Sequence, residues 1–199
     1  MGKNYYIVTI ARQFGSLGRP IARELSKLLN VEYYDRDILE MASKELNQST
    51  TELNAFDEQS YRRMKYPLGL GNHDMQNKLF ATQKCIISEL AMKEQSCIIV
   101  GRCSDFILKD NPNVLNVYIY APYEARLDNC INILGISPEE APKMIRAVDK
   151  ARSNFHRYYT NESIDTINNR HILIDSSVLG VEKTAKLLAE IVKDKFELA

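Results

Sequence analysis

Net charge is the first thing this 199-residue chain lacks. Its 26 lysines and arginines balance 26 acidic residues, and the pI is near 6.8. No basic excess points to nucleic acid, and no block of like charge forms a tail. Long apolar runs are missing too: none is long enough to span a bilayer, and the first residues have no signal-peptide core. The expectation is a cytoplasmic protein without a membrane partner. Cysteine is scarce, and Cys85, Cys97, Cys103 and Cys130 lack metal-ligand spacing, which predicts reduced thiols. Three histidines make no metal cluster. Repeats and low-complexity segments are absent. So is a complete G-x-x-x-x-G-K-[ST] phosphate-loop motif.

What is present starts at Ile7. The β-branched run Ile7-Val8-Thr9-Ile10 leads through Ala11-Arg12-Gln13-Phe14-Gly15-Ser16-Leu17-Gly18-Arg19 into an amphipathic helix. Strand, glycine turn and helix N-terminus are the layout of a phosphate-binding loop. The open N–H groups and dipole of the helix favour an anion there. Gly15 and Gly18 let the backbone curl without a Cβ. Taking Gly18 as the second glycine puts Gln13 at the first, Arg19 at the lysine and Pro20 at the hydroxyl residue. Arginine still pairs with phosphate, as a fork. Proline suits a first helical turn but cannot hold magnesium, so a hydroxyl ligand is Ser16 or lies elsewhere.

Periodicity predicts strands at Tyr5–Ile10, Val31–Tyr34, Cys97–Val100, Val114–Tyr120 and His171–Ile174. Helices are expected from Gly18 to Asn30, across Ile38–Leu46, across Met75–Lys93, from Pro122 through Leu134, from a Ser137 cap to about Tyr158, and from Gly180 onward. Residues 57–74 read as a mobile loop. Alternating strands and helices imply an α/β fold with a parallel sheet, whose ligands bind beyond the carboxyl ends of the strands.

That rule gathers charge. Arg12 and Arg19 bracket the first loop and suit phosphate oxygens. Asp35 and Asp37 follow the second strand, where they either cap a helix or orient a hydroxyl or a magnesium-bound water. Arg102 and Asp105 follow the third, as helix cap or acceptor grip. The helix after Ser137 repeats Arg146, Lys150, Ser153 and Arg157 on one face, with Arg152 and His156 beside them. Such a face either closes over transferring phosphates or pairs with Glu139, Glu140 and Asp149.

The segments 11–19, Tyr-Tyr-Asp-Arg-Asp at 33–37, Val-Gly-Arg-Cys-Ser-Asp at 100–105, Val-Asp-Lys-Ala-Arg at 148–152 and Ile-Asp-Ser-Ser-Val-Leu-Gly at 174–180 occur in one order. With Phe155, Tyr158, Tyr159 and Thr160, they make the chain resemble the cytidylate kinase-like family of P-loop proteins over nearly its full length. The resemblance implies a three-layer α/β/α P-loop fold, with a five-stranded parallel sheet and a helical lid. It implies one domain over 1–199, a nucleoside monophosphate-binding segment at about 36–94 and a lid at about 135–165. It further implies transfer of the ATP γ-phosphoryl to CMP, dCMP or a similar nucleoside monophosphate, with ATP and Mg2+ as cofactors. Carried over by position, Gly15, Ser16, Leu17, Gly18 and Arg19 cradle the ATP phosphates, Arg102 and Asp105 match an acceptor-nucleotide site, and Arg152, with Arg157 nearby, matches the lid. The residues themselves add Arg12 to the ATP site, Arg19, Asp35, Arg152 and Arg157 as the catalytic set, Asp37 beside the acceptor and Ser16 as the candidate magnesium ligand. Two rival expectations stand beside this one. The Asp-x-Asp after strand two resembles that of shikimate- and gluconate-type kinases, and the altered loop suits a nucleotide-binding protein without catalysis.

Overall fold

The computed structural model describes residues 5–54 and 73–198. Three strands are buried on both sides: β1 (Ile7–Arg12), β3 (Cys97–Val100) and β4 (Val114–Tyr120). Such runs belong in the middle of a parallel sheet covered on both faces. Between and beside them lie β2 (Glu32–Tyr34) and β5 (Ile172–Asp175). The order is β2-β3-β1-β4-β5, and every neighbouring pair is parallel. Ile10 is in register with Val100 on one side and Val117 on the other, so β1 forms the axis.

Side chains alternate across the sheet. Val8 and Ile10 pack with α1 (Gly18–Leu29) and α8 (Ser176–Phe196), through Ile21, Leu25, Leu188 and Val192. Ile7 and Ile99 face the other layer, α2 (Asp37–Leu46), α3 (Thr50–Leu53) and α4 (His73–Met92), through Ile38, Leu53, Ile86 and Leu90. The three layers are as expected. The connection leaving β1 runs toward β2, and the one leaving β4 runs toward β5. The chain therefore diverges above the carboxyl ends of β1 and β4, where a crevice forms.

Several boundaries differ from the periodicity. Residues 57–72 of the expected loop lie outside the described residues, and the chain is already helical from His73. A short helix, α5 (Ser104–Ile107), follows β3. The helix after β4 does not continue regularly to Leu134: α6 (Tyr123–Asp128) widens into a π-helical turn at Asn129–Ile133. Ser137 caps a turn through Glu140 N–H (3.3 Å) rather than the helix itself, and α7 (Ala141–Thr160) starts afterwards. α8 begins before Gly180, because the Asp175 carboxylate accepts the Ser177 N–H at 2.9 Å. Gly180 (φ +71°) kinks it, and the expected helical stretch continues from there to Phe196. Among the described residues no helix is long and apolar enough to cross a membrane.

Candidate functional site

β1 delivers Arg12 to its carboxyl end, and the chain then turns. Gly15 takes φ +78° and Leu17 φ +57° before α1 begins. Glycine is required at 15 twice over, since a Cβ would also sit 2.8 Å from the Arg126 carbonyl oxygen. At Gly18 a Cβ would meet the Arg12 Cβ at 2.8 Å, so its absence lets Arg12 run beneath the first turn of α1. That turn carries no acidic residue, leaving the amino end of α1 open to an anion. Arg19 projects from it, with its side chain 32% exposed.

Ser16 is not placed as a magnesium ligand. It is fully buried, and its hydroxyl lies 2.9 Å from the Gln13 carbonyl and 3.1 Å from that of Ile119. Its one proton holds the turn against β4. A second hydroxyl grips the same residue, because Ser176 Oγ donates to the Ser16 carbonyl at 2.7 Å.

Asp35 is the hub of the site. It is buried at the end of β2, between three guanidinium groups: Arg19 Nε at 2.5 Å, Arg102 Nη1 at 2.9 Å and Arg12 Nη2 at 3.7 Å. The Tyr33 hydroxyl donates to it at 3.4 Å, and burial, then the Asp35 charge, push that phenol up to about 12. One carboxylate thus gathers arginines from β1, α1 and the turn after β3. The three positive charges exceed its own, so this edge of the sheet carries a local positive excess. Asp37 stands apart, exposed at the start of α2, where Oδ2 accepts the Asp35 N–H at 3.3 Å. The structure places it as a brace for Asp35.

The turn after β3 is strained. Gly101, Arg102 and Cys103 are consecutive residues in the left-handed region, at φ +76°, +54° and +54°. Two non-glycine residues in that region cost about 1–3 kcal/mol each. The strain buries Arg102 completely and starts α5 with Asp105. Asp105 is itself buried, 2.5 Å from Arg170 Nη1 and 3.4 Å from His156 Nε2. Burial drives its carboxyl upward, but the His156 hydrogen bond and the Arg170 and His156 charges outweigh burial. The net effect holds the carboxyl below its ordinary 3.8.

α7 crosses above these strand ends. Arg152 Nη1 donates to the Arg12 carbonyl at 3.1 Å, and its guanidinium lies 5.9 Å from the Phe14 ring. One turn later Phe155 and His156 face Asp105, so Arg12, Cys103, Asp105, Arg152, Phe155 and His156 line a narrow cleft. The far end of α7 is pinned to α4 by the stack of Tyr159 on Phe80 (3.7 Å between centroids) and by the Tyr159 hydroxyl on Asn77 (3.2 Å). Arg157 does not join the other arginines, because it sits on the exposed side of α7.

The fold therefore brings together Arg12, Gly15, Leu17, Gly18, Arg19, Asp35, Arg102, Asp105 and Arg152. Ser16 is buried against two carbonyls, Asp37 braces the Asp35 backbone, and Arg157 lies exposed on α7. Arg170 gave no signal in the sequence, since it precedes β5 in an irregular stretch. His156 stood out only as a neighbour of the basic face. Among the described residues no three His, Cys, Asp or Glu side chains cluster to hold a metal.

The chain belongs to the cytidylate kinase-like family, which matches residues 7–178. Curated proteins include none that matches it significantly. Among solved structures it resembles an uncharacterized protein from Eubacterium ventriosum ATCC 27560, at 21% identity and a TM-score of 0.73, covering 94% of this chain and 98% of that one. It also resembles shikimate kinase from Acinetobacter baumannii in complex with shikimate (15%, TM-score 0.56, 96% and 95% covered). A third similar structure is deoxyadenosine kinase from M. mycoides with products dCMP and dCDP (15%, 0.52, 94% and 99%). The fold is that of nucleotide and small-molecule kinases.

Proposed function

We propose that this member of the cytidylate kinase-like family is an ATP-dependent phosphotransferase acting on CMP, dCMP or a similar nucleoside monophosphate. The observation that carries the reading is the convergence of Arg12, Arg19 and Arg102 on Asp35 beside the amino end of α1, with Arg152 on the Arg12 carbonyl. Phosphoryl transfer needs positioning and neutralisation of charge more than covalent work. In this reading the nucleotide's phosphates rest on the turn from Gly15 to Arg19. Arg12, Arg19 and Arg152 spread the charge of the transferring group, and α7 excludes water from the cleft.

The two buried carboxylates bear on the kind of acceptor. A hydroxyl acceptor calls for a base, whereas a phosphate acceptor arrives ionised. Asp35 has both oxygens committed to guanidinium groups, and Asp105 is held below its ordinary range. Neither suits proton abstraction, which favours a phosphate acceptor over a sugar or shikimate hydroxyl. The described residues do not fit a protein-held magnesium ion: Ser16 is buried against carbonyls and Asp35 is ringed by arginines. Magnesium in this reading comes bound to the nucleotide, whose phosphates supply its ligands.

The test is ADP release with ATP and Mg2+ over a panel of CMP, dCMP, UMP, AMP, shikimate and gluconate, repeated with Arg19→Ala and Arg152→Ala. We expect turnover of a pyrimidine monophosphate and a loss of about 10²–10³ in each variant. Turnover confined to shikimate or gluconate, or variants as active as the wild type, overturns the reading.

A further inference from the structure

The glycine turn is held from outside by a group of residues that the proposed reaction does not use. The Phe14 N–H donates to Asp149 Oδ1 of α7 at 2.7 Å. The other oxygen of Asp149 pairs with Arg126 of α6, and Arg126 Nη1 also donates to the Phe14 carbonyl at 3.2 Å. Both polar groups of the Phe14 backbone unit are thus bound by one ion pair. Asn129 Nδ2 continues the row on the Gly15 carbonyl at 2.9 Å. Three residues along α7, Arg152 adds the Arg12 carbonyl, so one face of that helix holds the turn at two points.

The contacts are close enough to explain residue choice. A side chain at Gly15 would strike the Arg126 carbonyl oxygen and Cys130 Sγ, at 2.8 and 3.0 Å. The turn is therefore pressed onto α6 and the π-helical turn, and Asp149 ties it there. A free loop of this composition would sample many shapes, and fixing each residue costs conformational entropy. A loop that binds phosphate through backbone N–H groups gains affinity when that cost is met before the ligand arrives.

We infer that Asp149 is a positioning residue for the glycine turn: with Arg126 it holds Phe14 and Gly15 in the shape that presents the following N–H groups to an anion. It does so from α7, so the seat of that helix and the shape of the turn form one unit. Asp149 touches no ligand in this scheme. The first readout below is independent of the proposed function; the second rests on it.

The experiment compares Asp149→Ala, Asp149→Asn, Arg126→Gln and the double variant Asp149→Ala/Arg126→Gln. In ligand-free protein, amide hydrogen exchange at Phe14 is expected to speed up at least tenfold in Asp149→Ala. It should stay within a few-fold of wild type in Asp149→Asn, whose carbonyl still accepts that N–H. The affinity for ADP is expected to fall about tenfold in Asp149→Ala and to be largely restored in Asp149→Asn. The double variant should lose little more than the worse single one, because the two side chains act together. Wild-type exchange at Phe14 in Asp149→Ala overturns the inference, and so does an additive double variant. If the wild type binds no ADP, the phosphotransferase reading fails, and the exchange rates alone decide the role of Asp149. Should Asp149→Ala not fold, the contrast between Asp149→Asn and Arg126→Gln in the same exchange measurement decides it.

Discussion

Arg102 donates from Nη1 to Asp35 Oδ1 at 2.9 Å, joining the ends of β3 and β2, with both side chains almost wholly buried. In sequence the two residues are 67 positions apart. A buried pair of this kind gains from mutual attraction only while both members remain, because each was taken from water at a cost. Here one carboxylate serves three guanidiniums, so its loss is felt by all three.

Asp35→Ala is therefore expected to lower stability by about 3–5 kcal/mol, the range for removing one partner of a buried ion pair. Asp35→Asn, which keeps shape but not charge, should also destabilise. Urea unfolding at neutral pH measures both. A loss below 1 kcal/mol in each would show that the arginines do not depend on Asp35.

Acid should act through Asp105. Its carboxyl is held below its ordinary 3.8 in the folded state: burial opposes this, and the His156 and Arg170 interactions prevail. The unfolded chain then binds protons first as pH falls, so the stabilisation is fully present above 3.8 and fades as pH drops through the lower folded value. Stability curves between pH 6 and 2 should show this loss in the wild type, and Asp105→Asn should show a shallower one. An unchanged acid limb in Asp105→Asn would contradict the assignment.

Glycine replacement separates the two turn positions. Gly15→Ala meets a backbone oxygen at 2.8 Å and also imposes φ +78° on alanine. Strain alone costs about 1–3 kcal/mol, or several degrees of melting temperature at about 2–4 °C per kcal/mol. Gly18→Ala meets Arg12 at its root, 2.8 Å from Cβ and 3.0 Å from Cγ, so Arg12 must shift, but no positive φ adds strain there. It should therefore also lose stability, by less than Gly15→Ala, and by displacing Arg12 it should weaken anion binding. Calorimetry and ADP titration of the two variants test this split.

The Tyr159–Phe80 stack joins α7 to α4. A double-mutant cycle through Tyr159→Ala and Phe80→Ala should return a coupling of about 0.5–1.5 kcal/mol. Arg157→Ala, on the exposed side of the same helix, should change stability by less than about 0.5 kcal/mol and leave nucleotide binding as it was. A strong effect at Arg157 would return it to the site.

Much of the architecture was legible along the chain because it rests on local rules. Cys97–Val100 and Val114–Tyr120 are strands with the expected bounds, since short, largely apolar runs rich in β-branched and aromatic residues suit strands buried between two covering layers. The glycine turn was legible through its spacing and the local positive φ of +78° at Gly15, while the contacts that leave no room for a Cβ there come from Arg126 and Cys130. Helix ends were less so, because caps and interruptions such as the π-helical turn at Asn129–Ile133 depend on what packs beside them.

Which charges meet was decided only by the tertiary structure. Asp35, Asp149 and Ser16 each had a plausible local duty, as capping acid, surface acid or metal ligand. Parallel strand order instead set Asp35 among three arginines and buried Ser16 against Ile119, and the packing of α7 placed Asp149 on Phe14. Periodicity carries burial, which each residue signals by itself. An ion pair between distant segments is set by strand order and helix crossing, and no stretch of sequence carries that information alone.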